Sequence, residues 1–256
     1  MVRSFALMSL LTLLGCQAVA DSFDVVSESL QMTEARVPVT RGDNHLIDLS
    51  IDISYLDEMT QSDYPDFIQL KKDLRTWADS YNWTPGDGEP MVGWETMVSD
   101  ISIRVIDNYP TIKFVALSAS VYPSADQPHR LTYKSLALRP RNADAPVKTQ
   151  LSVVLPIQSY GIEQQGPNVI DLTTELHFAQ GSNPEDRPSP NDAYSLIFEL
   201  LENYPNETDF WETQLKSMSR DLLSTYSQVD AVDMNLRVYP TATVAYFHRI
   251  HCRTER

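Results

Sequence analysis

Glycine is scarce in this sequence, with 8 residues in 256, and cysteine is scarcer, with 2. No phosphate-binding glycine loop, nucleophile elbow or cysteine-pair metal motif occurs along the chain. Positive charge is also limited, because 20 lysines and arginines against 35 aspartates and glutamates leave a net charge of −15. That balance argues against nucleic acid and anionic membranes as partners. No motif therefore names a reaction.

The composition is nevertheless that of a folded protein. Hydrophobic residues make up 42 % of the chain and charged residues 21 %. These fractions are far from the range in which a chain cannot bury enough apolar surface to offset its conformational entropy. Disorder and collagen-like structure are excluded.

Residues 1–20 have the features of an export signal. An apolar run follows Arg3, and it is long enough for a signal-peptide core but too short to span a bilayer. Two cleavage sites compete: Leu13-Leu14-Gly15-Cys16 approximates a lipobox with lipid attachment at Cys16, and Ala18-Val19-Ala20 fits ordinary signal peptidase. We expect an exported protein, either a periplasmic or outer-membrane-anchored lipoprotein or a secreted one. Cys252 is then left with no partner for an intrachain disulfide.

An internal duplication organises the rest of the chain. The triplet Trp94-Glu95-Thr96 recurs at Trp211-Glu212-Thr213, and Val121-Tyr122-Pro123 recurs at Val238-Tyr239-Pro240, both at an offset of 117. A gapless alignment of 94–124 with 211–241 gives nine identities. Upstream, Ile-Asp-Leu at 47–49 matches 170–172 at an offset of 123. The sequence therefore contains one unit twice.

Both copies show the same order of periodic segments. Period-two alternation indicates strands, and apolar residues at helical spacing indicate two helices between the second and third strand of each copy. The predicted strands are 28–39, 46–55, 111–122, 129–138, 148–158, 169–178, the copy of 111–122 and 242–252, and the predicted helices lie at 67–81, 94–109, 194–204 and 211–226.

These segments predict an α+β protein of two tandem ββααββ units, at 21–140 and 147–256. Each unit is an antiparallel sheet with two helices on one face. The stretch 140–149 is the natural linker, and 180–190 is a polar loop without structure of its own. Trp94 and Trp211 each begin an apolar helix stripe, so both are predicted to be buried among equivalent neighbours.

Polar residues occupy the strand face opposite the helices. They are either the solvated face of an antiparallel sheet or a ligand-binding surface. The candidate binding residues are Asp48, Asp52, Asp171, Glu175, His177, Asp233 and Arg237.

The duplicated ββααββ pattern resembles the tunnelling-fold superfamily, in the two-unit form of urate oxidase. The resemblance is one of topology, because the catalytic Lys, Thr and His of urate oxidase match no run here. It implies sheets closed into a barrel by oligomerisation, with the helices outside and a polar tunnel inside. It also implies a planar purine or pterin, held at a subunit interface by a Glu or Gln side chain.

Metal and cofactor signals are weak. The zinc-dependent tunnelling-fold proteins use histidines one residue apart, and no such pair occurs here. His248 and Cys252 share a strand face but lie ~13 Å apart, too far for one ion. We therefore expect no metal and no cofactor.

Two functions follow from these observations. The first is an exported envelope protein that binds a purine-like or pterin-like heterocycle, or a protein partner, without catalysis. The alternative is a tunnelling-fold enzyme acting on a purine or pterin, cofactor-free or similar to urate oxidase. A homo-oligomer is compatible with both.

Overall fold

The computed structural model describes residues 29–256 apart from 57–58, 85–91, 126–127, 141, 143–144, 206–207, 243–244 and 246. The predicted export signal and Cys16 lie outside the described residues. Within the described part of the chain, no helix combines the length and apolar character needed to cross a membrane.

The described elements follow the predicted order, ββααββ twice. Short 3₁₀ turns at Gln61–Asp63 and Pro184–Asp186 precede the first helix of each unit. The first unit contains β1 (Ser29–Arg41), β2 (Asp43–Tyr55), α1 (Phe67–Asp79), α2 (Trp94–Asn108), β3 (Ile112–Val121) and β4 (Leu131–Leu138). The second contains β5 (Lys148–Ile162), β6 (Asn168–Phe178), α3 (Pro190–Glu202), α4 (Trp211–Thr225), β7 (Val229–Val238) and β8 (His248–Glu255).

All eight strands form one antiparallel sheet in sequence order from β1 to β8. The two units join where β4 pairs with β5, for example at Lys134 and Ser152. Strands β1 and β8 are the outer strands of the described sheet. The predicted fold class is confirmed.

The core lies between the sheet and the helices. Residues Ile47, Leu49, Ile51 and Ile53 of β2 are at most 2 % exposed, whereas the polar residues between them reach solvent. Helix α2 packs on β3 and β4, and α4 packs on β7 and β8. Burial of each large apolar side chain contributes roughly 1.5–3 kcal/mol. The opposite face of the sheet, here called the polar face, carries the candidate binding residues.

Several local boundaries differ from the predictions, including the ends of β2, β5 and α1. The last strand begins at His248 rather than 242 and runs on to Glu255, because it pairs with β7 along its whole length. Helix α3 begins at Pro190, and Ser189 caps it by accepting a hydrogen bond from the Asp192 backbone N–H. The loop at 180–190 includes the turn Pro184–Asp186.

Candidate functional site

Asp48 and Asp171 share two contacts in the two units, and Asp48 also accepts a hydrogen bond from Arg130 Nη2 at 2.7 Å. Each strand pair has a bulge at the same place, where Arg36 in β1 and Ser159 in β5 both adopt φ 53°. The Asp48 Oδ1 accepts the Arg36 backbone N–H at 2.9 Å, and the Asp171 Oδ1 accepts that of Ser159 at 2.8 Å. A non-glycine residue at positive φ is strained, so the carboxylate offsets part of that cost.

The second oxygen of each aspartate binds the recurring tyrosine. The Tyr122 hydroxyl donates to Asp48 Oδ2 at 2.9 Å, and the Tyr239 hydroxyl donates to Asp171 Oδ2 at 2.6 Å. This contact explains why the Ile-Asp-Leu and Val-Tyr-Pro motifs recur together. Because this arrangement is present in both units, it supports the fold that the two units have in common.

Asp233 is the centre of a cluster found only in the second unit. Its Oδ2 accepts hydrogen bonds from His177 Nε2 at 2.8 Å and Arg253 Nη1 at 2.6 Å, and its Oδ1 accepts one from His251 Nε2 at 3.0 Å. The side chains of His177 and Asp233 are each 14 % exposed, whereas Arg253 is 41 % exposed. Three donors therefore surround one carboxylate. The cluster is open to solvent on the side of Arg253.

Glu175 lies beside this cluster, opposite Asp233 in the pairing of β6 with β7. Its Oε2 accepts from Lys134 Nζ at 2.7 Å, and its Oε1 accepts from Ser152 Oγ at 2.6 Å. Lys134 comes from the first unit, so the contact crosses the junction of the units. Together these side chains form a polar row across five strands.

The first unit has no such row. Residues in the two units correspond at the offsets of 123 and 117, and the strand pairing agrees with that correspondence. The first-unit counterparts of Glu175, His177, Asp233, His251 and Arg253 are Asp52, Ser54, Ala116, Lys134 and Leu136.

Arg237 occupies a second position where the units differ. Its guanidinium lies 4.1 Å from the centre of the Phe247 ring and 5.0 Å from that of Tyr239, and its Nε is buried with no hydrogen-bond partner. Arg249 is its direct cross-strand partner, and like charges in that position are unfavourable. The first-unit counterparts Ser120 and Thr132 instead share a hydrogen bond of 2.8 Å.

Asn235 lies between these two features on the polar face. It is exposed, and it pairs across strands with Thr173 and His251. Since alternate residues of a strand lie ~6.7 Å apart, Asp233 and Arg237 flank it at that distance. The structure thus brings Glu175, His177, Asp233 and Arg237 to one side of the sheet.

Several polar-face residues are not among the predicted binding residues. Their strands could be recognised from periodicity, but the side chains they meet depend on strand register, which the sequence pattern alone does not specify. These residues are Lys134, Ser152, Asn235, Arg249, His251 and Arg253.

The described residues contain no group of three or more His, Cys, Asp or Glu arranged to hold a metal ion. The imidazoles beside Asp233 hydrogen-bond to its carboxylate. Cys252 is partly buried and lies 3.9 Å from Ser219 Oγ and 3.8 Å from Thr254 Oγ1.

Asp233 makes the stability of the protein depend on pH. Burial raises the pKa of this carboxyl, but the His177 hydrogen bond and the Arg253 charge outweigh burial and lower the pKa to about 2 from 3.8. A depressed folded-state pKa stabilises above the unfolded pKa and loses that contribution as the pH falls through the folded value. Asp233→Asn is therefore expected to cost about 2 kcal/mol at neutral pH, and urea unfolding measures it.

The cost should disappear between about pH 4 and pH 2, where wild-type Asp233 becomes protonated. Asp52→Asn is the matched control, because Asp52 is the exposed first-unit counterpart of Glu175 on the same face. It should change stability by less than about 0.5 kcal/mol throughout. If Asp233→Asn lowers the free energy of unfolding by the same amount down to pH 2, the charge of Asp233 is not what stabilises the folded protein.

The fold is similar to solved structures of urate oxidases. The uricase from Arthrobacter globiformis superposes with a TM-score of 0.62 at 10 % identity, covering 91 % of this chain and 95 % of the other. Urate oxidase from Bacillus sp. TB-90 gives 0.61 at 10 % identity, covering 89 % and 99 %. Uricase from Bacillus fastidious gives 0.60 at 11 % identity, covering 88 % and 90 %.

These matches define the class as an α+β protein with the tunnelling fold. Within that class, the chain has the two-unit layout of the urate oxidase structures, as the duplication predicts. No family model matches the chain, and no curated protein matches its sequence.

Proposed function

We propose that the protein binds a small, planar, anionic heterocycle of the purine or pterin type on the polar face of its second unit, without converting it. The observation that carries the proposal is the Asp233 cluster, which the duplicated first unit lacks. Contacts needed for the fold recur in both units, as Asp48 and Asp171 show. A charged cluster kept in one copy only is better explained by a role specific to that copy.

The chemistry of the surface supports such a ligand. Asn235 offers a carboxamide with both a donor and an acceptor, which matches the alternating donors and acceptors on the edge of a purine or pterin. On one side, Asp233 and His251 provide further polar partners. On the other, Arg237 and Arg249 place two positive charges side by side, and a bound anion relieves their repulsion. Phe247, 46 % exposed, adds a flat apolar surface.

Ligand-induced stabilisation tests the proposal. Urate, xanthine and neopterin would each be added to the full chain, and urea unfolding would be followed. A ligand at 100 times its dissociation constant should raise the free energy of unfolding by about 2.7 kcal/mol. Arg237→Met and Asn235→Ala should remove most of that gain, because they delete the positive charge and the carboxamide.

First-unit substitutions are the matched controls. Ser120→Ala and Ser118→Ala alter the counterparts of Arg237 and Asn235 and should leave ligand stabilisation unchanged. Failure of all three compounds to stabilise the wild-type chain would contradict the heterocycle. Equal losses in control and test variants would contradict the placement on the second unit.

An enzyme acting on a purine or pterin is the second candidate. The likeness in fold to urate oxidases favours it, and so does His177, whose imidazole is held by a carboxylate as a general base often is. The two candidates are separated by incubating the chain with urate in air. A loss of urate absorbance with the wild-type chain, but not with His177→Gln, would show that the protein converts urate rather than only binding it.

Assembly of a second copy is part of the proposal. The outer strands β1 and β8 present backbone groups at the two edges of the described sheet, and strand edges readily pair with another chain. Such pairing would place the polar face inside a closed tunnel, where its ionic contacts would strengthen.

A further inference from the structure

A small cavity lies at the junction of the two units, apart from the polar-face residues. Its volume is about 170 Å³, which is the space of roughly five or six water molecules. Helix α2 of the first unit forms one wall, and β5, β6 and the following loop of the second unit form the others. Its lining includes Thr96, Ser99, Leu151, Phe178, Gly181 and Arg187.

Arg187 is a buried cation on the wall of this cavity. Its side chain is 9 % exposed. The Nε and Nη2 atoms donate to the hydroxyl and the carbonyl of Ser182 at 3.0 and 2.8 Å, and the guanidinium lies 5.3 Å from the centre of the Phe178 ring. The Nη1 atom is buried with no hydrogen-bond partner. A buried donor with no acceptor at full hydrogen-bond distance is costly, so this atom marks a place where a closer acceptor would be favourable.

Thr96 and Glu95 provide two further polar groups. The Thr96 hydroxyl lines the cavity and is also buried with no hydrogen-bond partner. A Glu95 carboxylate oxygen lies 3.6 Å from Arg187 Nη1, too far for a hydrogen bond but close enough to balance the charge. Gly93 leaves room for this carboxylate, because a Cβ there would lie 2.3 Å from Glu95 Oε1.

The first unit shows that the fold does not require this arginine. Tyr64, its counterpart at the offset of 123, packs edge-on against Tyr55 with ring centres 5.2 Å apart. Phe178 is the counterpart of Tyr55, so an aromatic side chain at 187 would serve packing equally well. Arg187 adds a positive charge that has to be desolvated and compensated. Packing alone therefore does not account for the charge at this position.

We propose that this cavity binds a small neutral molecule with a primary amide group. The amide oxygen accepts from Arg187 Nη1 and Thr96 Oγ1, and the amide N–H donates to Glu95. Because Glu95 already balances Arg187, an added anion or cation would leave an uncompensated charge beside the buried guanidinium. The apolar remainder of the ligand lies against Phe178 and Leu151. The volume limits it to about six non-hydrogen atoms.

Three compounds of similar size and different charge test the proposal: propionamide, propionate and propylammonium. Each would be titrated into the ¹⁵N-labelled full chain, and amide chemical shifts would be followed. Propionamide should shift the amide signals of Thr96, Ser99 and Gly181, and the two ions should bind more weakly. Thr96→Val keeps the shape of the side chain and should weaken propionamide binding about tenfold, the loss expected for one buried hydrogen bond.

Thr213→Val is the matched control, because Thr213 is the exposed α4 counterpart of Thr96, and its propionamide affinity should equal that of the wild type. Arg187→Lys keeps the charge but loses the planar donor fork, so it should also weaken propionamide binding about tenfold. This variant takes the place of Thr96→Val in the test if Thr96→Val does not fold. Tighter binding of propionate would overturn the neutral ligand. No shift with any compound would show that the cavity holds water only. Unchanged propionamide affinity in both variants would show that propionamide does not bind at Thr96 and Arg187.

Discussion

Trp94→Ala is expected to lower the free energy of unfolding by about 5 kcal/mol, and Trp211→Ala by about 3–4 kcal/mol. Both side chains are buried, at 2 % and 5 % exposure, so each substitution empties a core site. Trp94 also contacts the rings of Trp83 at 4.8 Å, His45 at 5.3 Å and Tyr133 at 6.4 Å. Aromatic pairs add about 0.5–1.5 kcal/mol each beyond the area they bury.

The expectation of equivalent neighbours for the two tryptophans is wrong. No ring contact to Trp211 is found in the described part of the chain, and the counterparts of Tyr133 and His45 are Ile250 and Asn168. The duplication preserved the position of each tryptophan but not its surroundings. Because the surroundings of the two tryptophans differ, the two substitutions are not expected to lower the free energy of unfolding equally.

Urea unfolding of both variants measures the difference. Phe210→Ala is the control, since Phe210 directly precedes Trp211 but is 75 % exposed, and its loss should stay within about 0.5 kcal/mol. Equal losses for Trp94→Ala and Trp211→Ala would show that the aromatic cluster adds nothing. A loss below about 1 kcal/mol for either would be incompatible with its burial.

Periodicity predicted the fold well because burial on one face leaves a direct mark on the sequence. The alternation at 46–55 corresponds to the buried and open faces of β2, and the stripes at 94 and 211 correspond to the packed faces of α2 and α4. The roles of Asp48 and Asp171 could not be found in this way. They depend on bulges at Arg36 and Ser159, two residues with no common side-chain chemistry.

The polar-face cluster was predicted in part, for a related reason. Glu175, His177 and Asp233 were recognised as outward residues of their strands, but their partners come from β4, β5 and β8 through strand register. Lys134 reaches Glu175 only because β4 of the first unit pairs with β5 of the second. The sequence also contains a recurrence beyond the aligned segments 94–124 and 211–241. Arg139 in the first unit corresponds to Arg256 in the second at the same offset of 117.

Arg139→Met is expected to lower the free energy of unfolding by about 3 kcal/mol, because hydrogen bonds from a charged donor are worth more than neutral ones. The Arg139 guanidinium donates to three backbone carbonyls: that of Ile106 in the last turn of α2, that of Tyr109 directly after the helix at 3.1 Å, and that of Ile112 at the start of β3 at 2.8 Å. Carbonyls at the end of a helix lack intrahelical donors, and the helix dipole favours a positive charge there.

Arg256 repeats these contacts in the second unit, donating to the carbonyls of Leu223 in the last turn of α4, Tyr226 directly after it and Val229 at the start of β7. Arg256→Met should therefore lower the free energy of unfolding by the same amount as Arg139→Met, to within about 1 kcal/mol. Arg220 is an exposed arginine of α4, so the control Arg220→Met should change the free energy of unfolding by less than about 0.5 kcal/mol. Arg139→Lys should recover only part of the loss, since an ammonium cannot reproduce the fork. Full recovery by lysine in urea unfolding would show that charge alone stabilises the helix end. A loss equal to that of Arg220→Met would show that these carbonyls are satisfied by water.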